Sequence, residues 1–215
     1  MRKLEKGSLA ALETWKRKNP GAQYRDLVGH DVVKDAIRQA CVGEQYWLCA
    51  YCCRRVTPEK ISAHNEHLEA QVLAKNRTLD FSNMVASCNS PGSCGKAHAS
   101  QPLPLTPLMV ECETELQFEL SGLVNGTTER ARSTVKVLRL GADYKCNRRL
   151  ISERKQMLDT LIYDGGLLPA ELSLACDEVL QALLNDLSQP DNQSKLQAFS
   201  PVLINVIRQM RSRNN

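Results

Sequence analysis

Two close-set cysteine pairs bracket a stretch of chain with too few apolar residues to hold itself together. Cys49 and Cys52 form the first pair, Cys88 and Cys94 the second, and 35 residues lie between Cys52 and Cys88. Two such pairs can supply four thiolates to one tetrahedral Zn²⁺. The first pair has ordinary knuckle spacing, and Pro91-Gly92 lets the longer second pair turn tightly. Four protein thiolates leave no open position on the ion, so Zn²⁺ held this way is structural. Five of the nine cysteines and three of the four histidines fall between residues 49 and 100, where no helical period is visible. Short strands and extended loops are expected there, stapled by the metal. Cys53 is a spare, a small buried hydrophobe or a competing ligand.

The remaining chain is ordinary globular sequence. It has 215 residues, 42% hydrophobic and 24% charged, which excludes disorder over the whole length. No window approaches 18 uninterrupted apolar residues, and the N-terminal run MRKLEKGSLAALETWKRK lacks the apolar region of a secretory signal. A cytoplasmic protein without a membrane span is expected, and a reducing compartment argues against a disulfide framework. The first ~25 residues read as weakly ordered. A helix follows, capped by Asp31, with Val32, Val33, Ala36, Ile37, Ala40 and Cys41 on one face. After an extended connector at 101–107, Leu116, Phe118 and Leu120 alternate like a strand, and Asn125-Gly126 signals a hairpin turn. Three helical patterns follow: one from about residue 129, one over 150–162 stopped by Gly165-Gly166, and one opened by Pro169 with Leu172, Cys176, Val179, Leu183 and Leu187 on a stripe. Ser200-Pro201 starts a last helix. The expected architecture is α+β: a zinc-stapled core at 49–107, an N-terminal helical segment at 1–48, and a strand pair with a helical region at 108–215, forming one compact unit.

The net charge of +4 hides an asymmetry. Residues 130–155 hold nine Lys and Arg against Asp143 and Glu153, an excess of +7. Arg132, Lys136, Arg139, Lys145, Arg148 and Arg149 are the candidates for holding phosphates. A solvated face or a surface for an acidic protein would carry the same charge. Aromatics are only 5%, and Trp15, Trp47 and Tyr51 read as core or interface rather than as a base-stacking platform.

Inside the loop that the cysteines close lie Glu66-His67 and then Asn83, with His98 just past Cys94. This order is the layout of an HNH, or ββα-metal, nuclease. In that chemistry a histidine takes a proton from water, and the hydroxide attacks a phosphodiester. A hard cation such as Mg²⁺ or Mn²⁺, bound by few protein ligands, stabilises the charge that builds up on the phosphate.

The run Cys49-Ala-Tyr-Cys52, then Glu66-His67, then Leu79-Asp-Phe-Ser-Asn83-Met-Val-Ala-Ser-Cys88 resembles the PtuB-like HNH nucleases of retron and Septu anti-phage defence systems. The resemblance extends to a strand pair with a glycine-containing turn, to Val137-Leu138-Arg139-Leu140, and to Asn147-Arg148-Arg149-Leu150 leading to Arg154, so it spans about Trp15 to Met210. It implies a nuclease that acts on DNA or RNA as the toxic effector of defence, beside a PtuA-like ATPase. In retron forms it also implies a reverse transcriptase with its RNA–DNA product. By position, His67 resembles the general base, Glu66 the neighbouring metal-binding acid, and Asn83 the middle asparagine, which would hold the second imidazole nitrogen. Zinc-ribbon HNH proteins often place His, Asn or Asp directly after the last cysteine; here that position is Gly95. His98 is then the candidate third residue and catalytic metal ligand, with Asn89 a weaker substitute. His64, in an extended segment, is not expected to be a co-ligand. The competing expectation is a zinc-stabilised adaptor that binds nucleic acid or protein without catalysis, and the departure at Gly95 is its best support.

Overall fold

The computed structural model describes residues 1–214. It is a mixed fold of helices and two small sheets, without a helix among these residues long and apolar enough to cross a membrane. Helix α1 (Ala10–Lys18) buries Leu12 and Trp15 and packs on α2 (Asp31–Glu44), which buries Ile37, Cys41 and Val42. The expected face of α2 is only partly inside, because Val32 in its first turn points to solvent. His30, not Asp31, occupies the cap, and its ring meets Trp15 edge-on at 5.5 Å.

The N-terminal segment is anchored rather than weakly ordered. Met1 and Leu4 are buried, the Leu4 N–H donates to the Pro107 carbonyl at 2.7 Å, and the Lys6 ammonium lies 3.9 Å from the Phe81 ring centroid. Its large apolar residues Met1, Leu4, Leu12 and Trp15 all reach the core, while Ala10 and Ala11 face solvent.

Strand β1 (Ala63–His67) pairs antiparallel with β2 (Met84–Cys88), so that Ala63 faces Cys88 and His67 faces Met84. Every residue of β2 is buried, since α2 covers the hairpin on one side and the cysteine knuckle lies on the other. A one-turn helix, α3 (Gly95–His98), follows the knuckle.

The second hairpin joins β3 (Leu116–Phe118) to β4 (Val124–Gly126). Asn125-Gly126 is not its turn. The chain reverses over residues 119–123, where Gly122 adopts φ +85°. Gly126 has another purpose: a Cβ there would lie 2.3 Å from the backbone nitrogen of Arg132, so glycine lets β4 approach helix α4 (Glu129–Val137). The hairpin rests on α7 (Ser200–Asn214), where Asn205 accepts from the Phe118 N–H and donates to the carbonyls of Glu113 and Leu116.

Between them run α5 (Arg148–Asp164) and α6 (Asp177–Ser188). Pro169 does not open an α-helix. Only a short 3₁₀ turn forms at 172–174, and Ala175 is extended, which breaks the phase of the expected stripe. Consequently α6 buries Leu180, Leu183, Leu184 and Leu187 and exposes Cys176 and Val179. Backbone bonds cross all the segment boundaries: Cys94 N–H to the Leu138 carbonyl at 2.9 Å, Phe199 N–H to Cys53 at 2.9 Å, and Leu196 N–H to Tyr46 at 3.2 Å.

Gly122 meets two constraints at once, a left-handed φ and a Cβ position 2.3 Å from the Ile151 carbonyl oxygen. Gly122→Ala is expected to destabilise the protein by more than the ~1–2 kcal/mol that the backbone conformation alone costs. Urea unfolding of the two proteins measures it.

Candidate functional site

The knuckle is built by two chain reversals. The first lies between α2 and β1, where Cys53 adopts φ +62° and its N–H donates to the Cys49 carbonyl. The second runs from β2 through Pro91-Gly92 to Cys94 at φ +55°, whose N–H is held by Leu138. Together they bring the sulfurs of Cys49, Cys52, Cys88 and Cys94 within 4.8 Å of one another, all buried. The Cys52 and Cys88 sulfurs are 3.8 Å apart. Tetrahedral Zn²⁺ with bonds of about 2.3 Å sets its sulfurs roughly 3.8 Å apart, so the cage fits the ion. The Cys88 N–H also points at the Cys49 sulfur, at 3.3 Å. As thiols, the four would hold their protons unevenly: hydrogen bonds from Cys49, Cys52 and Cys94 push Cys88 far down, and Cys52 and Cys94 are pushed well up. A divalent cation removes that conflict by taking all four as thiolates. Cys53 is buried outside the cage, and burial pushes its thiol up, as for a small hydrophobe.

The β1 pleat sends His64 and Glu66 to one face and His67 to the other. On the first face Glu66 lies between two imidazoles. Its Oε1 accepts from His98 Nδ1 at 2.5 Å, and its Oε2 is 3.3 Å from His64 Nε2. The buried Tyr51 hydroxyl is 3.5 Å from Oε1. Burial opposes ionisation of Glu66; with both rings protonated, the hydrogen bonds from His64 and His98 outweigh it and hold the carboxyl below its usual range.

The hydrogen-bond arithmetic here leaves two imidazole nitrogens, His98 Nε2 and His64 Nε2, without a donor partner among the described residues. His98 spends its Nδ1 proton on Glu66, and its buried Nε2 has no partner among the described residues. His64 Nδ1 lies 2.9 Å from Asn89 Oδ1, which can only accept, since the Asn89 amide nitrogen donates to the Lys60 carbonyl. A neutral His64 therefore aims a lone pair at the Glu66 carboxylate, which is unfavourable unless a proton or a metal ion lies between them. Gly95 borders that point: a Cβ there would sit 2.6 Å from His64 Nε2 and 2.8 Å from Glu66 Oε2. His64 thus belongs to this cluster, contrary to the expectation from sequence. Asn89 serves by orienting His64.

On the opposite face, the buried His67 Nε2 lies 2.9 Å from the Thr78 carbonyl. A carbonyl only accepts, so Nε2 carries the proton and Nδ1 is the basic nitrogen. Nδ1 faces the amide of Gln71, an exposed residue, at 3.4 Å. The Tyr24 ring packs edge-on against His67 at 4.7 Å. Burial lowers the His67 pKa below the ordinary 6.5, against the opposing effects of Thr78 and the Glu66 charge. Asn83 does not hold the imidazole as expected. It accepts from the Glu69 N–H at 2.8 Å and donates to the carbonyls of Glu69 and Arg77, closing the 69–83 loop that presents Thr78. A cleft of about 570 Å³, lined by Lys16, Gln23, Lys75, Asn76 and Thr78, opens beside this loop.

Sequence reasoning missed Thr78, whose contribution is a backbone carbonyl and so leaves no side-chain signature. It also missed Gly95 as a space-maker, though a glycine where a ligand was expected was the visible signal.

The six basic candidates divide. Arg132 pairs with Glu129 and Arg149 with Glu153, surface contacts worth ~0–1 kcal/mol. Lys136, Arg139, Lys145 and Arg148 are exposed and form no ion pair among the described residues. They lie on the end of α4, the start of α5 and the segment between, which is bound to the knuckle through Cys94–Leu138 and by the Cys146 thiol donating to the Gly92 carbonyl.

No protein-family model matches this chain, and no curated protein sequence matches it.

The purified protein is expected to hold one metal ion in the thiolate cage. Metal analysis should lose that equivalent in Cys52→Ser. Strong chelation should lower the melting temperature by ~10 °C or more, the shift that about 4 kcal/mol produces in a chain of this size.

Proposed function

We propose that the protein is a metal-dependent endonuclease of the HNH type, built on a zinc-stapled ββα core. The observation that carries this reading is the geometry of β1: the Glu66 carboxyl within reach of two imidazoles, next to a His67 whose Nε2 lies 2.9 Å from the Thr78 carbonyl. These are the two components of phosphodiester hydrolysis, a cation-binding carboxylate and a general base.

In this reading Glu66 and His98, joined by His64, would hold Mg²⁺ or Mn²⁺, which when bound neutralises charge on the phosphate. His67 accepts a proton from water at Nδ1, while the Thr78 carbonyl holds Nε2–H and steadies the imidazolium. Asn83 keeps the Thr78 loop closed. The unpaired Lys136, Arg139, Lys145 and Arg148 hold the nucleic-acid backbone, without reading bases. Zn²⁺ in the cysteine cage is structural. We further infer from the resemblance a toxic defence effector in the cytoplasm, restrained by or working with a PtuA-like ATPase, and in retron forms with a reverse transcriptase and its RNA–DNA. A non-catalytic zinc-stapled adaptor is the second reading. It is favoured by the opposite facing of Glu66 and His67 and by the complete burial of His98.

Supercoiled plasmid and total RNA, each offered with Mg²⁺, Mn²⁺ or EDTA and with or without the ATPase, separate the two. The nuclease reading expects metal-dependent cleavage that falls at least ~10²-fold in His67→Ala and is lost in Glu66→Gln. Gly95→Ala, which fills the space between His64 and Glu66, is expected to lose cleavage while keeping the zinc. Silence from folded, zinc-loaded protein under every condition supports the adaptor.

The pH profile is a further test. A base works unprotonated, and burial lowers the His67 pKa. The acid limb of kcat/KM is therefore expected below pH 6.5, with activity retained through neutrality.

A further inference from the structure

The cleft of about 570 Å³ beside the Thr78 loop has walls from two distant parts of the chain. Lys16, Asn19 and Gln23, at and after the end of α1, form one; Lys75, Asn76 and Asp80 form the other. The Tyr24 N–H donates to Thr78 Oγ1 at 3.2 Å and fastens the two walls together. The same Thr78 turns its carbonyl to His67 Nε2.

Positive charge is in excess on both walls. Lys75 is exposed and forms no ion pair among the described residues. Lys16 meets only Glu13 of its own helix, at 2.9 Å and part-exposed, a contact that competes weakly with an incoming anion. Arg17 and Lys18, beside it, are exposed and have no carboxylate partner among the described residues. The one acid of the lining, Asp80, is already engaged: it accepts from the Ser82 N–H at 2.9 Å and pairs with Arg77 at 2.9 Å. The helix dipole accounts for cations in the last turn of α1. It does not account for Lys75, across the cleft on another segment. Two ammonium groups lining one polar space, with its carboxylate occupied elsewhere, suit a phosphodiester backbone. No aromatic ring lines the space, so it holds phosphates rather than stacked bases. Its volume is that of a small-molecule pocket, which admits a nucleotide or two of a single strand and not a duplex.

The position of the cleft adds a path. The exposed cations at 136–148 are joined to the 92–94 loop, at the Cys88 end of the β1–β2 hairpin. The cleft lies at the other end, where His67 pairs with Met84. The five residues of β1 set the two ends roughly 13 Å apart. One strand of nucleic acid lying along the hairpin reaches both.

We propose that the cleft between Lys16 and Lys75 is a second phosphate-binding site, which takes a single strand of nucleic acid and carries it past His67. The inference deepens the nuclease reading and rests on it for the role of the strand, although binding itself needs no catalysis.

The test uses the full-length protein carrying His67→Ala, so that the probes survive, without added Mg²⁺ or Mn²⁺. Fluorescein-labelled oligo-dT and oligo-U, and a DNA duplex of equal length, are titrated by anisotropy from about 50 to 200 mM salt. Lys16→Gln with Lys75→Gln is expected to bind single strands ~10-fold more weakly at low salt, and to lower the slope of log affinity against log salt by ~1.4, the loss of two phosphate contacts. A response with oligo-dT, oligo-U or both supports the site and names its nucleic acid. The same loss of charge in Lys3→Gln with Lys155→Gln, whose ammonium groups pair with Glu5 and Asp159, is expected to leave affinity and slope near those of the parent. An unchanged slope in the Lys16 and Lys75 variant, an equal fall in the control, or an equal fall for the duplex would overturn the inference alone. Protein with His67 intact that neither cleaves nor binds any probe would overturn the nuclease reading and this site together. Binding that depends on Lys16 and Lys75, from protein that never cleaves, would sink the nuclease reading and leave the site standing.

Discussion

Four sulfurs gathered within 4.8 Å are the constraint on which the rest of the structure depends. Residues 49–62 and 89–94 form no regular element apart from one isolated bridge, and their backbone turns through left-handed residues at Cys53 and Cys94. Ala50, Tyr51, Cys53 and Val56 are buried in the core, whereas residues 89–92 bury no apolar side chain. A metal ion in the cage would tie the two segments together, and binding energies of ~10–16 kcal/mol for structural zinc are ample for that. Once closed, the knuckle fixes both ends of the β1–β2 hairpin: Cys88 is the last residue of β2, and Ala63, its partner, is the first of β1. The His64, Glu66 and His67 side chains inherit their directions from that register. A one-residue slip would exchange the two faces and place His67 where Glu66 now lies.

How much of this was legible in the chain depended on whether the signal was local. The cysteine pairs, the helices at 31–44 and 148–164, and the Gly165 stop are local patterns and could be read directly. Asn125-Gly126 misled because the same glycine that permits a turn also permits close backbone approach, and here the approach to α4 decided it. The Pro169 stripe failed because an extended Ala175 resets the helical phase, which no periodicity count detects. In the site, His98 and Glu66 come together as their order suggested. The partnership of His64 with Asn89, and of His67 with the Thr78 carbonyl, depended on strand pleat and loop closure. Those are tertiary facts without a residue-type signature.

The division of labour across β1 sets what the strand can do. On one face hydrogen bonds from the imidazoles hold a carboxyl below its usual range; on the other burial lowers the pKa of an imidazole. Adjacent residues of a strand are the shortest covalent route between two such environments. In the HNH reading, a phosphate must reach both, so it would lie at the end of β1, where the strand stops at His67 and the polar cleft begins at Thr78. The burial of His98 then makes that end the natural approach, since the interior side offers none.

The basic run at 130–155 looked from composition like one feature and is in fact two. Lys136, Arg139, Lys145 and Arg148 point outward and are free for an anionic ligand; Arg154, one to two turns further along α5, is buried, with one Nη donating to the Gly122 carbonyl and its Cζ 5.0 Å from the Phe118 ring centroid. Electrostatics gives the two groups different fates. An exposed cation is screened within about 8–10 Å and exchanges its counter-ions freely, so its partner is negotiable. A cation without solvent has one partner or none, and the cost of leaving it unpaired ties it to whatever anion the fold supplies. Of the three α5 carboxylates, Glu153 pairs with Arg54 and Arg149, Asp159 pairs with Lys155, and none, Asp164 included, pairs with Arg154 among the described residues. What the fold supplies to Arg154 is the Gly122 carbonyl and the Phe118 ring, so the buried guanidinium ties α5 to the second hairpin.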